Sequence, residues 1–164
     1  MAIVESIRDF IRRERLPYTT LHHRPAYTAQ EEAAAAHVPG RQWAKTVTCF
    51  ADDEPIQAVL PADLVVNLDR LRLLAGAGSM RLATEAEVAR LYPGCEAGAM
   101  PPLGPLYGQR VFVDATFIAE PDMVFSAGTH TDAIRMHYND FALLAKPVVG
   151  AFATRRTRDF PEPV

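Results

Sequence analysis

Two alternating apolar segments, separated by a short acidic turn, constrain the fold of this chain more than any other feature. Residues 44–50 (AKTVTCF) and 56–60 (IQAVL) each alternate as β-strands do, and residues 52–55 (DDEP) between them are typical of a turn. Strands this close in sequence pair as an antiparallel hairpin. Because both faces of the first strand are largely uncharged, we expect a central strand that is covered on each side.

Lys45 lies near the start of this strand and shares a face with Val47 and Cys49, because side chains alternate between the two faces. It is one of two lysines in the chain. A compact ammonium ion interacts differently from the planar guanidinium group of arginine. A lysine at a sheet edge commonly extends into solvent, however, so its position alone leaves a solvated and a functional side chain both open.

The composition predicts one globular domain. A chain of 164 residues, 49% apolar and 23% charged, can bury a substantial core. It contains no apolar run of membrane-spanning length, and its N-terminus lacks a basic segment followed by an apolar block. We therefore expect a cytoplasmic protein with reduced cysteines and no membrane association. A net charge of −3 argues against a general nucleic-acid surface and against DNA binding, but allows contact with the end of an RNA.

Apolar spacing, capping patterns and helix breakers predict five helices, at about residues 3–16, 28–37, 67–76, 84–92 and 139–146. The last of them is expected to be capped by Asn139. Besides the hairpin, strands are predicted at residues 18–22, 80–83, 110–113, 123–127 and 133–138. Strand pairs interleaved with helices, without strict βαβ alternation, indicate an α+β domain with a mixed or antiparallel sheet, over residues 1–153. Residues 154–164 are charged and contain proline, so we expect a flexible tail.

Metal-binding motifs are weak. His22 and His23 are adjacent, so on a strand they face opposite sides and do not share a tetrahedral site. The sequence has no zinc-finger spacing and no HExxH motif. We expect neither a metal nor another cofactor.

Nucleophile motifs are also weak. Cys49 lies within an apolar strand, where a thiol is usually inert, and Cys95 adjoins Glu96, whose charge would raise the pKa of the thiol. Ser126 and His130 are close in sequence, yet a strand followed by a turn does not ensure that they meet. A catalytic triad is therefore not expected.

Two glycine-containing segments have open interpretations. Residues 98–108 (GAMPPLGPLYG) cannot form a regular helix or an interior strand. They are either a rigid connection or a loop whose backbone N–H groups bind an anion or a carbonyl oxygen. Similarly, Gly128 and the following Thr129 and His130 form either a simple turn or part of a site.

Three segments in this order are residues 41–46 (RQWAKT), residues 98–104 (GAMPPLG), and residues 125–130 (FSAGTH) followed by 133–136 (AIRM). Together they resemble the YbaK family of free-standing aminoacyl-tRNA deacylases, which is related to the editing insertion domain of bacterial prolyl-tRNA synthetase. The resemblance covers about residues 1–150. It implies a compact mixed, largely antiparallel and barrel-like sheet flanked by helices. It also implies a pocket for a 3′-terminal adenosine that carries a small amino acid.

The resemblance implies a trans-editing hydrolase that removes a mischarged amino acid from tRNA, with a synthetase as a further partner. Matching family positions are Lys45 for a phosphate or the ester carbonyl, Gly98 for the oxyanion loop, and His130 for the amino-acid pocket. Further substrate contacts are expected at Thr46, Ala99, Met100, Pro101, Pro102, Gly104, Gly128, Thr129 and Arg135. The amino acid is open among alanine, cysteine and other small residues. A non-catalytic module that binds aminoacyl-tRNA or an adenosine-like ligand beside a synthetase is the alternative.

Overall fold

The computed structural model describes residues 4–155 and has the predicted hairpin at its centre. Strands β2 (Ala44–Ala51) and β3 (Glu54–Pro61) pair antiparallel over their full lengths, with Lys45 opposite Leu60. The turn between them consists of Asp52 and Asp53. Asp52 has φ +54°, a left-handed conformation that aspartate adopts more readily than most residues. The hairpin prediction is thus confirmed.

The other elements follow the predicted order, with several short additions. The helices are α1 (Glu5–Arg13), α2 (Ala29–Ala35), α3 (Leu68–Ala75), α4 (Glu85–Leu91) and α5 (Tyr138–Ala145), and two 3₁₀ helices span Gly104–Tyr107 and Ala115–Ala119. The other strands are β1 (Thr19–His22), β4 (Leu64–Val66), β5 (Met80–Leu82), β6 (Arg110–Asp114), β7 (Asp122–Ser126), β8 (Asp132–His137), β9 (Val148–Gly150) and β10 (Ala153–Arg155).

The strands form three sheets. The largest has the order β5-β2-β3-β6-β9, a second has the order β1-β8-β7, and β10 pairs with β4. The β3–β6 and β6–β9 pairs are parallel and the other ladders are antiparallel. The α+β prediction with a mixed, largely antiparallel arrangement is therefore confirmed. The barrel-like expectation needs correction, because residues 4–155 form separate sheets and not a closed one.

Apolar residues cover both faces of the central sheet. One face carries Val59, Val111 and Val113 in a core shared with α1, α5 and the second sheet. The opposite face carries Cys49 and Ile56 in a core shared with α3. The uncharged faces of β2 are thus explained by cover on each side.

Helix boundaries follow local capping chemistry. Thr84 forms a complete capping box with Glu87, and Asn67 accepts a hydrogen bond from the N–H of Arg70 at the start of α3. Thr28 accepts from the N–H of Glu31 at the start of α2. Three of the five helices therefore begin at the predicted capping residues.

Some predictions need correction or lie outside the described residues. Asn139 does not cap the last helix, since it lies within α5, and His137 precedes the first helical residue without a side-chain cap. Thr154 and Arg155, which were assigned to the tail, belong to β10. Residue 3 and residues 156–164 lie outside the part that the structure describes. No helix within residues 4–155 is long and apolar enough to cross a membrane.

Candidate active site around Gly98 and His130

The turn between β7 and β8 delivers His130 to its position. Gly128 within it has φ +95°, and a Cβ there would overlap the side chain of Val4 before α1. Thr129 Oγ1 donates a hydrogen bond of 2.6 Å to Asp132 Oδ2 and accepts one of 3.1 Å from the Asp132 N–H. The turn is therefore held both by a glycine conformation and by side-chain bonds, which fixes the residue that follows Thr129.

The glycine-containing loop is attached to this turn by three hydrogen bonds. The Glu96 N–H donates to Gly128 O at 2.8 Å, and the Gly128 N–H donates to Ala99 O at 2.9 Å. The His130 N–H donates to Glu96 Oε2 at 2.9 Å. Gly98 has φ +84°, and an ideal Cβ on it would lie 3.5 Å from His130 Cε1. The structure thus places Gly98 and Gly128 beside His130, the three residues that the family resemblance assigned to one site.

Within residues 98–104, Gly98 is exposed and the six residues after it are buried. The Ala99 N–H already donates to Glu96 O at 3.0 Å, and Pro101 and Pro102 have no N–H to offer. Of this segment, Gly98 therefore has the backbone most accessible to a ligand. Contacts of substrate with Ala99, Met100, Pro101, Pro102 and Gly104 stay predictions. The buried side chains of this segment form part of the protein interior.

A buried polar network fixes the rest of the loop. Gln57 Nε2 donates to Pro101 O at 3.0 Å and to Tyr92 Oη at 3.2 Å. Tyr92 Oη in turn donates to Gln109 Oε1 at 2.6 Å. A Cβ on Gly104 would overlap the backbone oxygen of Gln109, so that glycine permits close approach of the loop to β6. The loop is anchored to the central sheet on its far side, which leaves Gly98 at its accessible end.

Both ring nitrogens of His130 have hydrogen-bond partners, and the side chain is 10% exposed. Nδ1 lies 2.9 Å from Glu32 Oε1, and Nε2 lies 2.6 Å from Ala97 O. The hydroxyl of Ser126 donates to Glu32 Oε2 at 3.1 Å. Burial raises the pKa of Glu32, against the lowering effects of His130 and Ser126. Ser126 and His130 therefore meet through one carboxylate, and not as a nucleophile and its base.

Glu32 and Tyr27 were not identified from the sequence. Glu32 lies in an alanine-rich helix next to Glu31, where a solvent-facing carboxylate is the ordinary expectation, yet its side chain is 3% exposed. The ring of Tyr27 lies 5.0 Å from that of His130, centroid to centroid, and Tyr27 is 73% exposed. A buried carboxylate and an exposed aromatic ring thus stand on either side of the predicted histidine.

Lys45 lies near the start of β2, two residues after a contact of the chain with β7. Trp43 forms a parallel bridge with Val124 of β7. This bridge is isolated, and no described pairing continues from it to Lys45. Lys45 is half-buried. Thr46 Oγ1, on the next residue, is buried and makes no hydrogen bond within residues 4–155. A place for Lys45 beside the His130 turn stays a prediction.

Arg135 lies elsewhere. Its guanidinium is 3.9 Å from Asp122 Oδ2, and the imidazole of His137 is 2.8 Å from Asp122 Oδ1. These side chains border a hollow of about 190 Å³ beside Pro17 and the start of β1. Arg135 follows Asp132 by three residues along β8, away from the His130 turn. A contact of Arg135 with substrate stays a prediction, and the geometry does not group it with Gly98 and His130.

The thiols are poorly suited to nucleophilic catalysis. Burial raises the pKa of Cys49 to about 12. Burial also raises the pKa of Cys95, whose sulfur lies 3.6 Å from Tyr107 Oη. The cause is burial, where the sequence had suggested the charge of Glu96. Among residues 4–155, His, Cys, Asp and Glu side chains form no group of three or more that could hold a metal ion.

Comparison with known proteins supplies independent findings. The family model described as aminoacyl-tRNA editing domain matches residues 23–144. A proline–tRNA ligase of Nitratidesulfovibrio vulgaris (strain Hildenborough) is 30% identical over 132 residues, which cover 80% of this chain and 22% of the ligase. A proline–tRNA ligase of Anaeromyxobacter sp. (strain K) is 33% identical over 96 residues, 58% of this chain and 16% of the ligase. The chain thus spans about a fifth of the length of these relatives.

Solved structures share the fold. The crystal structure of a hypothetical protein superimposes with a TM-score of 0.82 at 22% identity, covering 92% of this chain and all (100%) of the other. A structure described as a candidate trans-editing enzyme for prolyl-tRNA synthetase gives a TM-score of 0.75 at 21% identity, covering 95% of this chain and 100% of the other. At these identities the likeness establishes the architecture alone.

Proposed function

Because the chain belongs to the aminoacyl-tRNA editing domain family, we propose that it hydrolyses the ester bond of mischarged aminoacyl-tRNA. Water adds to the acyl carbon and the bond to the ribose oxygen breaks. The products are a free small amino acid and a tRNA with its 3′-terminal adenosine restored. The observation that carries this proposal is the exposed backbone of Gly98 beside His130, in a loop whose other members are buried.

The chemistry needs little from side chains. An aminoacyl ester is already activated, so hydrolysis requires a positioned water and donors for the oxyanion that develops on the carbonyl oxygen. We assign the Gly98 N–H to that oxyanion, because the Ala99 N–H is occupied and the prolines have none. The vicinal hydroxyl of the terminal ribose is assigned to orienting the water. This scheme is consistent with a histidine whose nitrogens are both engaged.

Two further side chains fit a nucleotide-bearing substrate. The ammonium of Lys45 supplies a positive charge for a phosphate or for the ester carbonyl, in a chain whose net charge is −3. The exposed ring of Tyr27 offers a face on which the terminal adenine can stack. Contact with one end of the tRNA requires no extended basic surface. A synthetase that releases the mischarged tRNA is the expected partner.

The position of His130 beside the loop favours a small amino acid. A Cβ added to Gly98 would lie 3.5 Å from His130 Cε1, so the His130 ring limits the space beside the loop. Synthetase sites discriminate poorly against an amino acid that is smaller by one methylene, by about 1–3 kcal/mol, which is the chemical need for editing. We therefore propose alanine, cysteine or a residue of similar size as the acyl group.

A deacylation screen tests the proposal. Wild type, Lys45→Ala and Lys146→Ala are assayed against tRNAs charged with small mismatched amino acids. Lys146 is the matched control, since it is the other lysine of the chain and follows the end of α5. We expect turnover by wild type and Lys146→Ala and its loss in Lys45→Ala, with all three equally folded by circular dichroism. Binding of charged tRNA without hydrolysis of any of them would instead support the non-catalytic module. Wild-type rates in Lys45→Ala would remove Lys45 from the site.

A further inference from the structure

A buried carboxylate behind His130 has no role in the chemistry described so far. Glu32 reaches from α2 to within 2.9 Å of His130 Nδ1, and its second oxygen accepts from Ser126 on β7. The side chains of Glu32 and His130 are 3% and 10% exposed. Isolating a carboxylate from water is costly unless its oxygens are hydrogen-bonded, so this arrangement needs both partners.

Hydrogen-bond accounting assigns the protons of this group. Ala97 O is a carbonyl and can only accept, so His130 Nε2 at 2.6 Å carries a hydrogen. The Ser126 hydroxyl donates to one oxygen of Glu32. One proton then lies between His130 Nδ1 and the other oxygen of Glu32. It is shared either as an imidazolium–carboxylate pair or as a neutral imidazole–carboxylic acid pair.

These hydrogen bonds determine which atoms the ring presents to the site. A general base needs a free lone pair within hydrogen-bond reach of the proton that it removes. Here one nitrogen is directed at Ala97 O and the other at Glu32, whereas the carbon Cε1 faces Gly98. Tyr27 packs against the ring at a 56° tilt. His130 is thereby held in one orientation by partners from the glycine loop and from the segment that contains Tyr27 and α2.

We propose that Glu32 and Ser126 are positioning residues that hold His130 in one orientation, with a shared proton, so that its carbon edge sets the size of the acyl pocket. This inference rests on the proposed function for the identity of the ligand. The geometry of the histidine does not depend on that function. The two parts can therefore be measured separately.

The first measurement is of the imidazole itself. With ¹⁵N-labelled histidine, the NMR spectrum of wild type is expected to show His130 with a protonated Nε2 and an Nδ1 shift typical of a strong hydrogen bond. Glu32→Gln keeps the shape but cannot share a proton in the same way, so the Nδ1 shift should move to that of an ordinary acceptor nitrogen. Ser126→Ala should produce a smaller change in the same direction. Glu31→Gln, an exposed carboxylate on the same helix, is the control and should leave both shifts unchanged.

The second measurement is of substrate choice. In Glu32→Ala the ring loses its partner, and the ratio of kcat/KM between two acyl groups that differ by one methylene should fall by about tenfold. Glu31→Ala should keep the ratio. Should Glu32→Ala not fold, as judged by circular dichroism, Ser126→Ala and Glu32→Gln carry the same comparison.

The outcomes are separable. Unchanged His130 shifts in Glu32→Gln would overturn the positioning role, whatever the activity. Changed shifts with an unchanged substrate ratio would overturn the role in pocket size. If wild type hydrolyses no charged tRNA, the proposed function fails. The ratio of kcat/KM values is then replaced by the ratio of affinities for two non-hydrolysable aminoacyl-adenosine analogues that carry the same two acyl groups. Equal affinity ratios in wild type and Glu32→Ala would then overturn the inference.

Discussion

Gly98 allows the proposed oxyanion donor to be tested against a glycine of nearly identical conformation. Gly98 has φ +84° and Gly94 has φ +87°. An added Cβ at Gly94 meets nothing within 4 Å, and one at Gly98 meets His130 Cε1 at 3.5 Å, an ordinary contact. The two alanine variants therefore differ in their position relative to the site, and neither introduces a steric clash.

The expected stability cost is the same for both variants. A non-glycine residue in the left-handed region costs roughly 1–2 kcal/mol, and the 3.5 Å contact at Gly98 adds little to it. A domain that is stable by about 5–15 kcal/mol stays folded under that cost. Urea unfolding should give free energies of unfolding for Gly94→Ala and Gly98→Ala that agree within about 0.5 kcal/mol.

The expected effect on activity is different. A methyl group on Gly98 lies next to the proposed position of the ester, and relief of the backbone strain rotates the N–H away from the carbonyl oxygen. Loss of one oxyanion donor lowers the rate by about 10²–10³. Single-turnover deacylation of a mischarged tRNA should show this loss for Gly98→Ala and a nearly unchanged rate for Gly94→Ala. Equal rates for the two variants would refute the assignment of the Gly98 N–H.

Three other predictions concern stacking, pH and packing. Tyr27→Ala should raise KM for charged tRNA by about 5–150-fold, since a base–aromatic stack contributes about 1–3 kcal/mol. Tyr27→Phe retains an aromatic ring and should keep the wild-type KM. Equal KM values for wild type and Tyr27→Ala would exclude stacking. The hydrogen bond from Arg81 lowers the pKa of Glu87 from 4.5 to about 2, so ionised Glu87 stabilises the fold above pH 4.5 and this contribution is lost as the pH falls through 2. The Tm difference between wild type and Glu87→Gln should follow that window, and a pH-independent difference would contradict it. Gly104→Ala should lower the free energy of unfolding in urea by about 1–3 kcal/mol, because the added methyl group would overlap a backbone oxygen. Gly40→Ala should lower it less, since its added Cβ would lie 3.5 Å from the nearest atom. Similar losses in the two variants would contradict the packing argument.

The main elements could be predicted because their signals are local. Thr84 and Asn67 cap helices through bonds to residues three positions ahead, and the β2–β3 hairpin needs a turn of two residues. The short strands β4, β9 and β10 were missed because three residues give only a weak period of two, although β5, of the same length, was predicted. Asn139 was assigned wrongly as a cap because the helix begins earlier, at Tyr138.

The candidate site also combines residues that the sequence indicated with residues that only the structure revealed. Gly98 and His130 were assigned to one site through the family resemblance, and the hydrogen bonds between loop and turn place them side by side, while their roles stay predictions. Glu32 lies 98 residues from His130 in the chain, and no spacing rule connects an alanine-rich helix to a distant turn. The sequence likewise gave no sign that Arg135 lies beside Asp122, because that contact forms only when β8 pairs with β7.

Local chemistry, carried by caps, turns and alternating apolar residues, is therefore sufficient to specify the helices, the central hairpin and the glycines of the loop. Burial of Glu32, exposure of Tyr27 and the engagement of both His130 nitrogens arise only when α2, the glycine loop and the β7–β8 turn pack together. The physical reason is that the protonation and accessibility of a side chain depend on its neighbours in space, and those neighbours come from segments that are far apart in the chain.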